Sequence, residues 1–126
     1  MEKYLAELNE AQRAPVIHMD GPVMVIAGAG SGKTRVLTYR IAYLMHQGVD
    51  PFNILALTFT NKAAKEMKDR VSKILDDDMN SVFVSTFHSA CVRFLRRDIE
   101  RIGYGRDFTI YDTTDAKSVV KACIKK

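Results

Sequence analysis

Cysteine is scarce in this chain. Cys91 and Cys123 are the only two among 126 residues, too few and too far apart for a disulfide framework or a metal-ligand cluster, so both are expected as reduced, buried thiols. No apolar stretch is long enough to cross a bilayer, and the opening residues MEKYLAELNE lack the apolar core of a secretory leader; the expected location is the cytoplasm. No repeat or low-complexity tract appears either, which argues against stacked repeat architectures and solvated tails. What remains is ordinary soluble material, 47% hydrophobic and 27% charged, of a length that buries one core but hardly two. The net charge of +4 hints only modestly at a polyanionic partner, and its distribution says more.

The most specific feature present is AGAGSGKT at residues 27 to 34, entered directly from the apolar run Val23 to Ile26. A strand, a glycine turn and a helix start line up backbone N–H groups with a helix N-terminus, and both attract a polyphosphate. Within such a cradle Lys33 reaches the β and γ phosphates and the Thr34 hydroxyl takes a place on Mg²⁺. The strict pattern opens on Gly where this chain has Ala27, but glycines at 28, 30 and 32 keep the loop's character.

Along the chain, Asn9 and Gln12 have the spacing of a capping pair, predicting a helix that ends near His18 before the Asp20-Gly21-Pro22 turn. A strand is expected at 23 to 27, then a helix from Lys33 to about Gln47 before Gly48. Asn53 to Phe59 is short and continuously apolar, as a strand covered on both faces would be. Asn61 then caps a helix to Leu75, with Ala63, Ala64, Met67, Val71, Ile74 and Leu75 on one stripe and Lys62, Lys65, Lys68, Arg70 and Lys73 on the rest. Asp76 to Asp78 read as an acidic loop. A third strand at Val82 to Thr86 leads to a helix with Val92, Leu95, Ile99 and Ile102 inward and Arg93, Arg96, Arg97 and Arg101 mostly outward, ended by Gly103 and Gly105. After Phe108 to Tyr111, Asp112 or Thr113 caps a last helix whose apolar face is Ala116, Val119, Val120, Cys123 and Ile124. Strands alternating with helices imply a doubly wound parallel sheet with the nucleotide at the carboxyl ends of its strands.

A glycine loop alone admits kinases, GTPases, motors and helicases. The guanine reader of a GTPase is missing, because the only Asn-Lys, at 61 and 62, runs on into Ala63-Ala64, and no Asp stands three residues before a Gly. The remaining signals resemble the UvrD/Rep/PcrA class of superfamily 1 DNA helicases. LNEAQR at 8 to 13 is similar to its Q motif, AGAGSGKTRVL at 27 to 37 to motif I, ALTFTNKAAKEM at 56 to 67 to motif Ia, and VSTFHS at 84 to 89 to motif Ib. The resemblance runs from Leu8 to the end of the chain, and an alanine at the position of Ala27 is usual in that family.

The resemblance implies a P-loop NTPase (RecA-like) α/β fold, incomplete here, with residues 1–106 the N-terminal part of domain 1A and 107–126 the start of an inserted helical subdomain, 1B. It assigns the nucleotide to Gln12, Ala27, Gly28, Ala29, Gly30, Ser31, Gly32, Lys33, Thr34 and Arg35. The Gln12 amide would read the adenine edge, for which its donor and acceptor are suited, and Arg35 would lie against the ring as a planar cation. By their residues alone, Gln12 could equally complete the Asn9 cap and Arg35 could be a solvated helix residue. Single-stranded DNA is assigned to Thr58, Phe59, Thr60 and Asn61 at one strand end and to Thr86, Phe87 and His88 at another, with an aromatic supporting an unstacked base of any kind. Phe59 also reads as the last core residue of its strand, and most of the Lys62–Lys73 and Arg93–Arg101 charge as solvated faces. His18 and His46 have no motif behind them.

Turnover in this family needs a carboxylate pair in a DExx motif beyond Lys126; Asp112, followed by Thr113, reads as a helix cap instead. The expected function is therefore that of the N-terminal ATP-binding piece of a DNA helicase whose full-length parent uses ATP and Mg²⁺ to track on single-stranded DNA and unwind partly duplex DNA; the piece alone is expected to bind ATP weakly at best and to hydrolyse essentially none. Two alternatives stay open: the helicase subunit of a helicase-nuclease complex, and a nucleotide or nucleic-acid binding module without hydrolysis. Unpaired sheet edge and a bare last helix would favour self-association.

Overall fold

The computed structural model describes residues 1–75 and 82–125, so the acidic stretch Asp76–Asp78 lies outside the described residues. Contacts divide the chain into two compact units, Met1–Ala90 and Cys91–Lys126. In the first, a short helix α1 (Glu2–Ala6) precedes α2 (Glu10–Ile17). Asn9 and Gln12 form the expected reciprocal cap: the Asn9 side chain accepts from the Gln12 backbone N–H and the Gln12 side chain accepts from the Asn9 N–H. Two donors that a helix start leaves open are thereby satisfied.

Helix α3 (Lys33–His46) follows the glycine loop. A 3-10 turn at Pro51–Asn53 leads to strand β1 (Leu55–Thr58), then helix α4 (Asn61–Leu75) and strand β2 (Phe83–Thr86). The α4 crossover lets β1 and β2 pair in parallel, in a register that sets Leu55 opposite Phe83 and Thr58 opposite Thr86. The cap of α4 lies one residue earlier than expected: the Thr60 hydroxyl accepts from the Ala63 N–H at 3.1 Å, and Asn61 is already helical. A hydroxyl in that position serves the third helical N–H directly.

The core of this unit gathers Ile41 and Ala42 of α3, Ile54, Ala56 of β1, Ala64, Met67 and Val71 of α4, and Val82 and Val84 at β2. A second cluster joins Leu8, Val16, Val36 and Tyr39. Helix α3 feeds both, so the glycine loop leads into an element that is packed in both clusters. On α4 the buried Ala64, Met67 and Val71 recur at helical spacing while Lys62, Lys65, Lys68, Arg70 and Lys73 stay in solvent, as their pattern predicts.

Residues 23 to 27 do not form the expected strand. Exposure alternates from Val23 at 42% through Met24 at 82% and Val25 at 43% to Ile26 at 88%, the period of an extended chain. A strand also needs a ladder partner, and the sheet of the described residues contains only β1 and β2. The result is a mixed helix and strand fold with a small parallel sheet, compatible with an incomplete α/β architecture.

In the second unit, α5 (Phe87–Asp98), which begins at the end of the first, runs into a 3-10 turn (Ile99–Ile102) closed by Gly103 in the left-handed region at φ 84. Asp112 caps the last helix, α6 (Thr113–Ile124), in a reciprocal box with Asp115. Ile99 is buried, but Leu95 is 40% and Ile102 67% exposed, against the inward placement expected of them. Both cysteines are exposed rather than buried, Cys91 on α5 and Cys123 on α6. Few elements make up this unit, so its apolar residues gain little cover.

Val71 is fully buried between α4 and the sheet. Val71→Ala is expected to lower unfolding free energy by about 1.5–3 kcal/mol in urea titration, whereas Lys68→Ala on the solvent face should stay within about 0.5 kcal/mol.

Candidate functional site

The glycine loop is tied by its own short bonds. Ser31 donates to the Gly28 carbonyl twice, through its N–H at 3.3 Å and its hydroxyl at 2.6 Å. Gly32 then takes φ 84 and becomes the N-cap of α3 with no side chain capping it. The N–H groups of the first helical turn, at Lys33 and Thr34, are therefore left without a side-chain acceptor at the positive end of the helix dipole. An anion fits such a place. The Lys33 ammonium folds back over the loop and donates to the carbonyls of Ala27 at 3.0 Å and Gly28 at 2.7 Å. Ala29 and Gly30 complete an exposed rim. The Thr34 carbonyl accepts from the buried Thr38 hydroxyl at 2.7 Å, which stiffens the same turn.

Gln12 belongs to this site as well as to its cap. Its Nε2 donates to the Ser31 carbonyl at 3.0 Å while its Oε1 holds the Asn9 N–H at 3.3 Å. A Cβ added at Gly32 would stand 2.8 Å from Gln12 Nε2 and 4.0 Å from Arg35 Cβ, so amide and arginine root flank one point. The Arg35 guanidinium lies over the Tyr39 ring, 5.7 Å from its centroid, and pairs with Glu7 at 3.6 Å. Tyr39 donates to the same Glu7 oxygen at 2.8 Å. Burial first, then the Glu7 carboxylate, raise the Tyr39 phenol above its ordinary value of 10.0. Sequence reasoning missed Glu7 and Tyr39. Tyr39 could have been found one helical turn beyond Arg35, but Glu7 arrives from the turn after α1 and left no signal.

The second group of expected residues lies at the carboxyl ends of β1 and β2. Thr58 and Thr86 are register partners, so the aromatic residues that follow them are brought side by side, with Phe59 and Phe87 rings 5.7 Å apart and tilted at 42°. Phe59 is 92% and Phe87 45% exposed. Phe59 is thus not the core residue that its apolar neighbours would also permit. The two threonines are buried and their hydroxyls are spent locally: Thr58 donates to the Thr60 carbonyl at 3.0 Å, and Thr86 bonds the Ser89 hydroxyl at 2.9 Å. They shape the strand ends, while Asn61 and His88 are presented to solvent at the starts of α4 and α5.

Lys33 and Thr34 of the first group share a cleft of about 320 Å³ with Thr58, Phe59 and Thr60 of the second, Glu66 also standing in its wall. The phosphate-type cradle and the exposed aromatic are therefore on the same end of the sheet. Among the described residues no three His, Cys, Asp or Glu side chains gather as a metal cluster. No helix among them is long and apolar enough to cross a membrane.

The uncapped start of α3 and an exposed aromatic pair thus belong to a parallel strand-helix-strand unit, the architecture of an incomplete α/β domain. The chain matches the UvrD/REP helicase N-terminal domain over residues 8–126, and it belongs to that family. It is 58% identical over 123 residues to the ATP-dependent DNA helicase PcrA of Bacillus subtilis, covering 97% of this chain and 17% of that protein. Proteins of the same description from Staphylococcus aureus and Staphylococcus epidermidis are 56% and 55% identical over 126 residues, again with 17% of their length covered. The chain thus spans about a sixth of the curated relatives it matches.

Two expectations follow. Gly32→Ala should cost about 1–2 kcal/mol for its left-handed backbone, and most of that cost should persist in a Gln12→Ala background, because a flexible amide yields more readily than φ; thermal melts of the four proteins give the cycle. The raised Tyr39 value stabilises the fold below pH 10.0, and that contribution is lost as pH rises further. Tyr39→Phe should therefore flatten the alkaline fall in unfolding free energy, and an unchanged slope in denaturant titrations would contradict the coupling.

Proposed function

We propose that this chain is the N-terminal ATP-binding part of an ATP-dependent DNA helicase that moves along single-stranded DNA and unwinds duplex, with the P-loop NTPase fold of domain 1A up to residue 106 and the start of subdomain 1B after it. The observation that carries the proposal is the shared cleft of Lys33, Thr34 and Phe59. A group that holds phosphate there and a group that holds a base there are near enough to sense one another through β1 and α4.

The backbone N–H groups at the start of α3 and the Lys33 ammonium bind the triphosphate, Lys33 exchanging its two loop carbonyls for phosphate oxygens. Gln12 and Arg35 orient the base, with Gln12 also tying the base side to the loop through Ser31. Magnesium would arrive with the nucleotide, screening its phosphate charge, and the hydroxyl of Thr34 at the cleft is the hard oxygen donor that suits it. Phe59 and Phe87 offer a stacking platform without preference for one base, and the neighbouring Asn61 and His88 can meet phosphate or sugar. The relatives are ATP-dependent DNA helicases, which supports the pairing of these two ligands.

Lys33→Ala is expected to weaken ATP binding at least about tenfold in isothermal titration, the scale of charged hydrogen bonds, and Phe59→Ala to weaken binding of a short single-stranded oligonucleotide at least about fivefold in fluorescence anisotropy. Unchanged affinities in both variants would remove the proposal. Self-association is the second expectation, since Val119, Val120 and Ile124 stand exposed along α6. Light scattering should show oligomers at high concentration, and a clean monomer there would count against it.

A further inference from the structure

Arginine has many rotamers, and a guanidinium that must meet a planar base gains from being held before the base arrives. Arg35 is held. Its guanidinium rests toward the Tyr39 ring on one side and pairs with Glu7, and its side chain remains 48% exposed, leaving room on the other side. Glu7 is itself fixed, because the Tyr39 hydroxyl donates to the oxygen that Arg35 contacts. Tyr39 is buried and packed edge-on against Tyr4, their ring centroids 5.8 Å apart. The carboxylate also has an electrostatic task. Arg35 shares a cleft with Arg70 and Lys73; Arg70 has its own partner in Glu66, and Glu7 offsets the like charge that Arg35 would otherwise face.

From this geometry we infer that Glu7 is a positioning residue for nucleotide-base recognition: anchored by Tyr39, it holds the guanidinium of Arg35 in place, so that the base is met by a pre-arranged planar cation. The inference rests on the nucleotide site proposed above. Glu7 touches neither phosphate nor base, and its effect passes through Arg35 alone. An adenine nucleotide therefore senses Glu7, whereas a polyphosphate without a base does not.

The test uses the full chain and two probes, ATP and inorganic triphosphate, titrated calorimetrically at one salt concentration. Glu7→Gln should weaken ATP about threefold to tenfold, the range for freeing one rotamer-rich side chain, and leave triphosphate unchanged. Tyr39→Phe should act in the same direction and less strongly. In an Arg35→Ala background, Glu7→Gln should have no further effect on ATP. Equal weakening of both probes, no weakening of either, or a full additional loss in the Arg35→Ala background would overturn the positioning role, with thermal melts confirming that each variant is folded. If the unaltered chain binds neither probe, or Lys33→Ala binds both as well as it does, the nucleotide site itself is refuted and the inference falls with it. If those controls hold and only the Glu7 variants fail to discriminate, the site stands without this device.

Discussion

The parallel register between β1 and β2 is the constraint on which the rest of the first unit depends. Because Thr58 lies opposite Thr86, both strands end at the same level, and the residues that follow, Phe59 and Phe87, emerge next to one another. A slip of one residue would turn each side chain to the other face of the sheet and separate the rings. The same pairing seats α4, whose Ala64, Met67 and Val71 complete the core against both strands and against α3. Fixing α3 in this way fixes where its amino end, and with it the glycine loop, opens.

At that amino end the physics is one of donors without acceptors. Gly32 adopts a left-handed backbone that a side chain would strain, no side chain caps the helix, and Lys33 lies across the loop on two carbonyls. Gln12 spans from the cap of α2 to the loop carbonyl of Ser31, so α2 and the loop form one hydrogen-bonded assembly. Glu7, Tyr39 and Arg35 extend it by another layer. Phosphate-type and base-type contacts would thus be supported from the same small set of helices.

The chain belongs to the UvrD/REP helicase N-terminal domain family over residues 8–126 and is similar to relatives named as ATP-dependent DNA helicases. The first unit is packed around a shared core, while much of the apolar surface of α6 in the second is bare. That contrast is physical as well as topological. Helices α3 and α4 and the strands β1 and β2 share one core, whereas one helix, a 3-10 turn and another helix offer few faces to cover Leu95, Ile102 or Cys123.

Local chemistry was legible in the residues alone. The reciprocal caps at Asn9 and Asp112, the start of α3 at Lys33, the stripe of α4 and the two short apolar strands all follow from interactions within a few positions of one another, where chain spacing fixes geometry. Decisions made between distant segments were not. Val23 to Ile26 carries strand-forming residues and an alternating exposure, yet lacks a ladder, because pairing depends on a neighbour and not on propensity. Likewise Phe59 could have closed a core or faced solvent, and the packing of α3, α4 and the sheet left it outside. The junction of Glu7 with Tyr39 and Arg35 brings together groups 32 and 28 positions apart, and only the tertiary placement of the turn after α1 against α3 puts a carboxylate there.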